Sequence, residues 1–146
     1  MLKFRTVFIN MFIVFGMLYT FNVSAQSCGT DAFLDNCAPS LGDFTFIKFF
    51  KVNIEKEGTK KKVSYVFSKG STYRIVICDE GVKGKEMKVK LYDRNKKLIA
   101  SNYLSSSRKY FPILNYTCTA TGVYYVESSF KPSKKGCGVI ILGFNK

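Results

Sequence analysis

From residue 43 onward the chain alternates apolar and polar side chains. Phe44, Phe46, Phe50, Val52 and Ile54 share one parity of residues 43–54, which predicts a long strand with further aromatic residues on its second face. Residues 55–62, around Gly58, read as the turn that follows, and residues 63–67 as a second strand. Lys69-Gly70 then turns the chain into residues 72–78, where Tyr73, Ile75 and Ile77 alternate with Thr72, Arg74 and Val76, a hairpin signal. Residues 86–92 set Met87, Val89 and Leu91 against Lys88, Lys90 and Tyr92, and Asp93-Arg94-Asn95-Lys96 turns them into residues 97–103. After a flexible loop at 105–109 come residues 110–118, which Pro112 demotes at their start to an edge or bulge, then 123–130 and 137–144. The pattern predicts an all-β domain, a jelly-roll-like antiparallel β-sandwich of about eight strands.

The residues before 43 behave differently. Lys3 and Arg5 precede an almost entirely apolar run at 7–21, and Asn22-Val23-Ser24-Ala25 places small or β-branched residues before a cut after Ala25. This is the grammar of a cleaved secretory signal, and the run is shorter than a membrane span of about 20 apolar residues. The expected organisation is a signal peptide at 1–25, a polar N-terminal segment at 26–42 and the sandwich at 43–146. Within the polar segment a helical turn is expected at 31–36, capped by Thr30. The expected location is periplasmic, cell-surface or secreted.

Export changes the reading of the five cysteines, because an oxidising compartment lets them pair. Cys28 and Cys37 are close in sequence and are expected to form a short clip. Cys118 and Cys137 flank two consecutive strands and are expected to form a second bridge, leaving Cys78 as a buried free thiol. The alternative of a lipid-modified Cys28 fits Ala25-Gln26-Ser27 poorly, since the leucine-like residue expected of a lipoprotein cleavage box is missing.

Stretches of the sandwich resemble a known family. Ser68-Lys69-Gly70-Ser71-Thr72-Tyr73-Arg74-Ile75, then Val89-Lys90-Leu91-Tyr92-Asp93-Arg94-Asn95 with Leu98-Ile99-Ala100-Ser101, then Thr119-Ala120-Thr121-Gly122-Val123-Tyr124-Tyr125-Val126 are similar to the prepeptidase C-terminal domain of secreted bacterial proteins. The resemblance covers about residues 43–144 and implies a jelly-roll-like sandwich with an accessory or binding role. Two features depart from that family, which usually follows a catalytic domain and has no general pattern of bridging cysteines.

Chemistry is narrowed mostly by exclusion. The chain has no histidine, which removes the Ser-His-Asp and Cys-His nucleophiles, and no two cysteines have zinc-site spacing. A hydrolase using two carboxylates survives this filter, yet the ten acids fall mainly in expected turns and none form a marked pair. No cofactor or metal is implied; Asp79-Glu80 and Asp93 with Asn95 read as turn residues rather than a calcium loop. A formal net charge of +13 favours acidic partners. If successive strands alternate direction, the turns at 55–62, 79–86, 102–110 and 131–136 share one end, with twice the net positive charge of the opposite turns. Lys60, Lys61, Lys62, Arg108, Lys109, Lys131, Lys134 and Lys135 would build an anion-binding end there. Tyr65, Tyr92, Tyr103, Tyr110 and Tyr125 offer a second surface, able to stack on sugars or extended peptides. The function expected is a non-catalytic exported module that binds an acidic polysaccharide, an envelope component or an extracellular protein. Nucleic acid is the acidic partner an exported chain meets least, and an effector on anionic membranes is the competing reading, distinguished by vesicle leakage.

Overall fold

A computed structural model describes residues 28–79, 86–131 and 135–146. The expected signal at 1–25 and Lys134 lie outside the described residues. The strands, in chain order, are β1 (Thr45–Ile54), β2 (Lys61–Phe67), β3 (Thr72–Asp79), β4 (Lys88–Tyr92), β5 (Leu98–Ser101), β6 (Tyr103–Leu104), β7 (Lys109–Tyr110), β8 (Ile113–Thr117), β9 (Gly122–Ser129) and β10 (Gly136–Asn145). Apart from the short pair β6–β7, the pairing is nested: β1 with β10, β2 with β9, β3 with β8, β4 with β5, all antiparallel. Rolling that long hairpin so that β10 also meets β3, and β9 also meets β4, closes two four-stranded sheets, β1-β10-β3-β8 and β2-β9-β4-β5. This is the expected sandwich, and its rolled, nested pairing is that of a jelly roll. The β2–β3 turn uses Gly70 at φ +86°, a conformation that costs other residues steric strain.

The inner faces meet around Phe67, whose ring stacks on Tyr73 at 3.8 Å and on Tyr124 at 4.8 Å between centroids. Ile75, Ile77, Met87, Val89, Leu91, Ile140 and Leu142 complete this centre. Each contributes about 1.5–3 kcal/mol by leaving water. The first strand departs from its expected parity. Its register slips between Phe46 and Lys48, so Ile47 packs against the core while Phe46 stays 52% exposed. Phe44 is not in this core at all; it belongs to a second one.

That second cluster lies on the outer face of the first sheet, where Val76, Cys78, Val139 and Ile141 are buried. It is covered by helix α1 (Thr30–Cys37) and a 3-10 turn, Ala38–Leu41, through Phe33, Leu34, Leu41 and Phe44. A helix of eight residues is too short to hold itself in water, so its stability comes from this docking. Thr30 is its first residue, not its cap; Gly29 takes the cap position and no side chain bonds there. Arg74 ties the segment down by stacking on Phe44 at 4.1 Å and donating to the Leu41 carbonyl at 3.0 Å and Asn115 Oδ1 at 3.0 Å. Gly143 leaves room for Leu41, because a Cβ there would sit 2.7 Å from Leu41 Cδ2.

The disulfides differ from both expected pairings: Cys28 bonds Cys137 and Cys37 bonds Cys78. The reason is geometric. Cys28 precedes the helix and Cys37 ends it, and a helix of that length rises about 12 Å, beyond the roughly 7 Å Cα separation a disulfide can span. Cys118 and Cys137 lie at opposite ends of the sandwich, Cys118 beside Ser71 and Cys137 opposite Asn53 at the far end of β1. Cys118, not Cys78, is the free thiol, 2% exposed, with its S–H directed at the Ala120 carbonyl. Both bridges therefore fasten the N-terminal segment to the first sheet, and the bonded sulfur of Cys28 leaves no thiol for a lipid.

Thiol titration of the oxidised protein should find one reactive group per chain, and only after denaturation. Replacing Cys37 and Cys78 together by Ser should lower the unfolding free energy by about 2–5 kcal/mol in urea and open the segment before Leu41 to proteolysis. An unchanged urea midpoint would show that the strap adds nothing to the fold.

Candidate functional site

Because the pairing is nested and antiparallel, the connections β1–β2, β3–β4, β5–β8 and β9–β10 leave the sandwich at one end. The expected grouping of those turns is what the register gives. The polar residue that organises this end is Asn102, fully buried between β5 and β6. Its Oδ1 accepts from the Val89 amide at 2.7 Å, while Nδ2 donates to the carbonyls of Met87 at 2.9 Å and Phe111 at 3.2 Å. Its own amide donates to Val89 O, and its carbonyl accepts from the Phe111 amide at 2.8 Å. One side chain thus satisfies the backbone of β4 and of the residue before Pro112, and holds both feet of the β6–β7 hairpin.

The expected flexible loop at 105–109 is the tip of that hairpin. Tyr103 and Tyr110 face each other across it with ring centroids 4.6 Å apart, and Lys88 lies over the Tyr103 ring at 4.1 Å. Arg108 sits at φ +53°, a left-handed conformation that is costly for a residue with a Cβ. Tyr103, Arg108 and Tyr110, together with Glu86, Lys109, Phe111 and Lys131, line an open groove of about 720 Å³. Lys131 reaches Glu86 at 3.7 Å, and Phe111 is 46% exposed at the margin. Burial raises the Tyr110 phenol above its ordinary value, with further contributions from Tyr103, Glu86 and Asp79, so it remains a neutral donor at physiological pH.

Of the eight cationic residues expected at this end, Arg108, Lys109 and Lys131 converge in the groove. Lys60 and Lys62 do not. They turn onto the outer face of the second sheet and bind Glu127 at 3.2 and 3.6 Å. Lys61 is exposed at the start of β2, its carbonyl accepting from the Ser128 hydroxyl, and Lys135 is exposed before β10. Glu127 is pushed up by burial but pulled down further by the hydrogen bond and charge of Lys60 and the charges of Lys62 and Lys90, so its carboxyl is held below the usual range.

Of the acids considered for calcium, Glu80 lies outside the described residues, while Asp79 and Asp93 each turn one carboxylate oxygen to the backbone, the other oxygen of Asp79 being buried without a partner. Asp79 Oδ2 accepts from the amides of Glu86 and Met87 at 3.0 and 2.7 Å, and Asp93 Oδ1 from those of Asn95 and Lys97 at 2.8 Å each. Among the described residues no three acids or cysteines gather as a metal site would need, and no helix is long and apolar enough to cross a membrane. Asn102 was not singled out by the sequence pattern. An amide inside an apolar strand signal was the available clue, since a buried Asn must be bonded throughout.

No family model matches the chain, and neither does any curated protein sequence. Among solved structures the fold is similar to the crystal structure of PliG from Aeromonas hydrophila, a periplasmic lysozyme inhibitor of g-type lysozyme. The two share 9% identity over 70% of this chain and 89% of that one, with a TM-score of 0.54. The likeness is one of fold.

Asn102→Ala would strand the buried Val89 amide and Met87 carbonyl and the half-buried Phe111 carbonyl, and is expected to cost about 2–5 kcal/mol in urea unfolding. A cost near zero would remove Asn102 as the organiser of this end. Glu127 stabilises the fold above its unfolded pKa and stops doing so as pH falls through its lowered folded value. Thermal melts between about pH 5 and pH 3 should therefore fall more steeply for the wild type than for Glu127→Gln. Parallel curves would mean that the Lys60–Glu127–Lys62 cluster does not contribute.

Proposed function

We propose that this chain is an exported, non-catalytic β-sandwich module that binds a protein partner through the groove at its cationic end, and that the partner is a glycan-cleaving enzyme of lysozyme type. The observation carrying the proposal is the convergence of Arg108, Lys109 and Lys131 with Tyr103, Tyr110 and Phe111 on a hairpin pinned by Asn102. Arginine and tyrosine on a rigid support are the residues that anchor protein interfaces, since little side-chain entropy is lost on binding. Enzymes that cleave glycosidic bonds present a pair of carboxylates in an open cleft, and a cationic projection is complementary to it.

Three observations support the reading. The fold is similar to that of PliG, itself an inhibitor of g-type lysozyme. Two disulfides and the leader pattern suit the periplasm or the outside of the cell, where such enzymes act. At the groove, Asp79 accepts from the amides of Glu86 and Met87 and Glu86 pairs with Lys131, which favours binding over catalysis.

The mature protein should slow the clearing of a bacterial cell-wall suspension by g-type lysozyme at near-stoichiometric concentration. The double variant Arg108→Ala/Lys109→Ala should raise the inhibitory concentration by about 10–100-fold, the loss expected for an interface anchor. Full lysozyme activity in the presence of excess protein, with no complex on size-exclusion chromatography, would overturn the proposal.

A further inference from the structure

The outer face of the second sheet carries a separate arrangement of charge. Three rows cross it, fixed by register. Lys88 lies opposite Ser129; Lys90, Glu127 and Lys62 form the next row across β4, β9 and β2; Tyr92, Tyr125 and Ser64 form the third. Rows two residues apart on a strand are separated by about 7 Å, and neighbours across strands by about 4.8 Å. The face is thus a lattice of ammonium groups, hydroxyls and rings, bordered by exposed Leu98 opposite Tyr92 and by the Val66–Val123 pair beyond Ser64 and Tyr125.

The lattice is cationic and its cations are held in place. Lys62 Nζ lies over the Tyr92 ring at 5.7 Å and Lys88 Nζ over Tyr103 at 4.1 Å, so aromatic rings fix both ammonium groups. Glu127 is the single acid in the three rows, and Lys60 and Lys62 already share it. Among the described residues no carboxylate comes within ion-pairing distance of Lys88 or Lys90. Lys96, at the left-handed φ of +63°, lines a shallow depression of about 200 Å³ together with Lys62, Tyr92, Tyr125 and Glu127. The face therefore carries Lys60, Lys62, Lys88, Lys90 and Lys96 against the single carboxylate of Glu127, a net positive array next to tyrosine hydroxyls.

We propose that this face binds a linear acidic polysaccharide, its carboxylate or sulfate groups meeting Lys88, Lys90, Lys62 and Lys96 and its sugar hydroxyls meeting Tyr92 and Tyr125. Charge complementarity selects a polyanion, and the repeat of cations along a flat sheet selects an extended one. Apolar side chains on this face, Leu98 opposite Tyr92 and the exposed Val66–Val123 pair in the row beyond, lie at the margin away from Lys88, whereas the rows of Lys88 and Lys90 hold only lysine, glutamate and serine, which favours a hydrated polyanion over an acyl boundary. Disulfides place the folded chain in a compartment where acidic glycans are met and nucleic acid is scarce. The surface adjoins the groove proposed to bind a protein at Lys88 and Tyr103, and the two are separable by mutation of Arg108 and Lys109, which lie only in the groove.

The test uses the purified mature chain with sodium alginate as the polyuronate probe, dextran as the neutral control and phosphatidylglycerol vesicles as the lipid control, in titrations at low and high salt. Alginate should bind, dextran should not, and binding should weaken steeply with salt. Lys88→Gln/Lys90→Gln should weaken alginate binding about tenfold, while Lys51→Gln/Lys56→Gln, which removes the same charge from β1 and its turn, should change it by less than about twofold. Glu127→Gln should tighten binding, because it frees Lys60 and Lys62. Arg108→Ala/Lys109→Ala should leave alginate binding intact even if it abolishes effects on lysozyme. Equal losses from the two lysine pairs, an unchanged affinity for Glu127→Gln, tighter binding to vesicles than to alginate, or no alginate binding at low salt would each overturn the proposal.

Discussion

The constraint on which the molecule depends is that β3 and β10 are central strands buried on both faces. Their inner side chains, Ile75, Ile77, Ile140 and Leu142, meet the second sheet, and their outer ones, Val76, Cys78, Val139 and Ile141, must be covered by something else. The covering is the short N-terminal segment, too small to be stable alone. This explains why both disulfides end on these two strands or their ends rather than bridging the sheets. The constraint also explains Arg74, which stands among apolar neighbours on the outer face and spends its guanidinium on the carbonyl of Leu41 and the ring of Phe44. The second sheet needs no such cover, and its outer face is free to carry lysines.

Nested pairing has a second consequence, for the loops. Nested antiparallel pairing puts the β1–β2, β3–β4, β5–β8 and β9–β10 connections at one end, so residues far apart in the chain, Glu86, Arg108 and Lys131, arrive together without a dedicated linker. Bringing them together is not enough to fix them. Asn102 does that by substituting for the strand pairing that β5 gives up where it ends, taking the Val89 amide that a longer β5 would have bonded. The strain of Arg108 at positive φ is tolerated because the hairpin beneath it is tied at both feet.

The fold class was legible because the chain states it repeatedly, with period-two alternation in eight segments and glycine or Asp-Asn turns between them. What alternation alone could not say follows from tertiary context. Phe44 and Phe46 have the parity of Val52, but a bulge within β1 and the position of Phe44 beneath the helix take them out of the inner core. The cysteines misled for a related reason: closeness in sequence favoured Cys28 with Cys37, whereas a helix between them holds them apart. The loop end was legible in its grouping, since that follows from strand order. Its occupants were only half legible, because whether Lys62 or Lys131 enters the groove depends on which side of β2 or β9 a side chain leaves, and on Glu127 competing for it.

Charge in this protein is distributed with a purpose beyond solubility, and Lys88 shows it. Lysines on a β-protein commonly guard sheet edges, as Lys48 and Lys51 do on β1. Lys88 and Lys90 lie instead on β4, an inner strand of its sheet, where no edge needs guarding. Lys90 faces Glu127 across β9 and shares that one acid with Lys60 and Lys62, while Lys88 has a tyrosine ring and, among the described residues, no carboxylate, so the lysines outnumber the acid on this face. Lys88 also stands over Tyr103, the ring that lines the groove, and so joins the flat face to the loop end. A polyanion lying on the face would reach the groove by way of this lysine, placing a glycan and an enzyme that cleaves glycans on adjoining surfaces of one small domain.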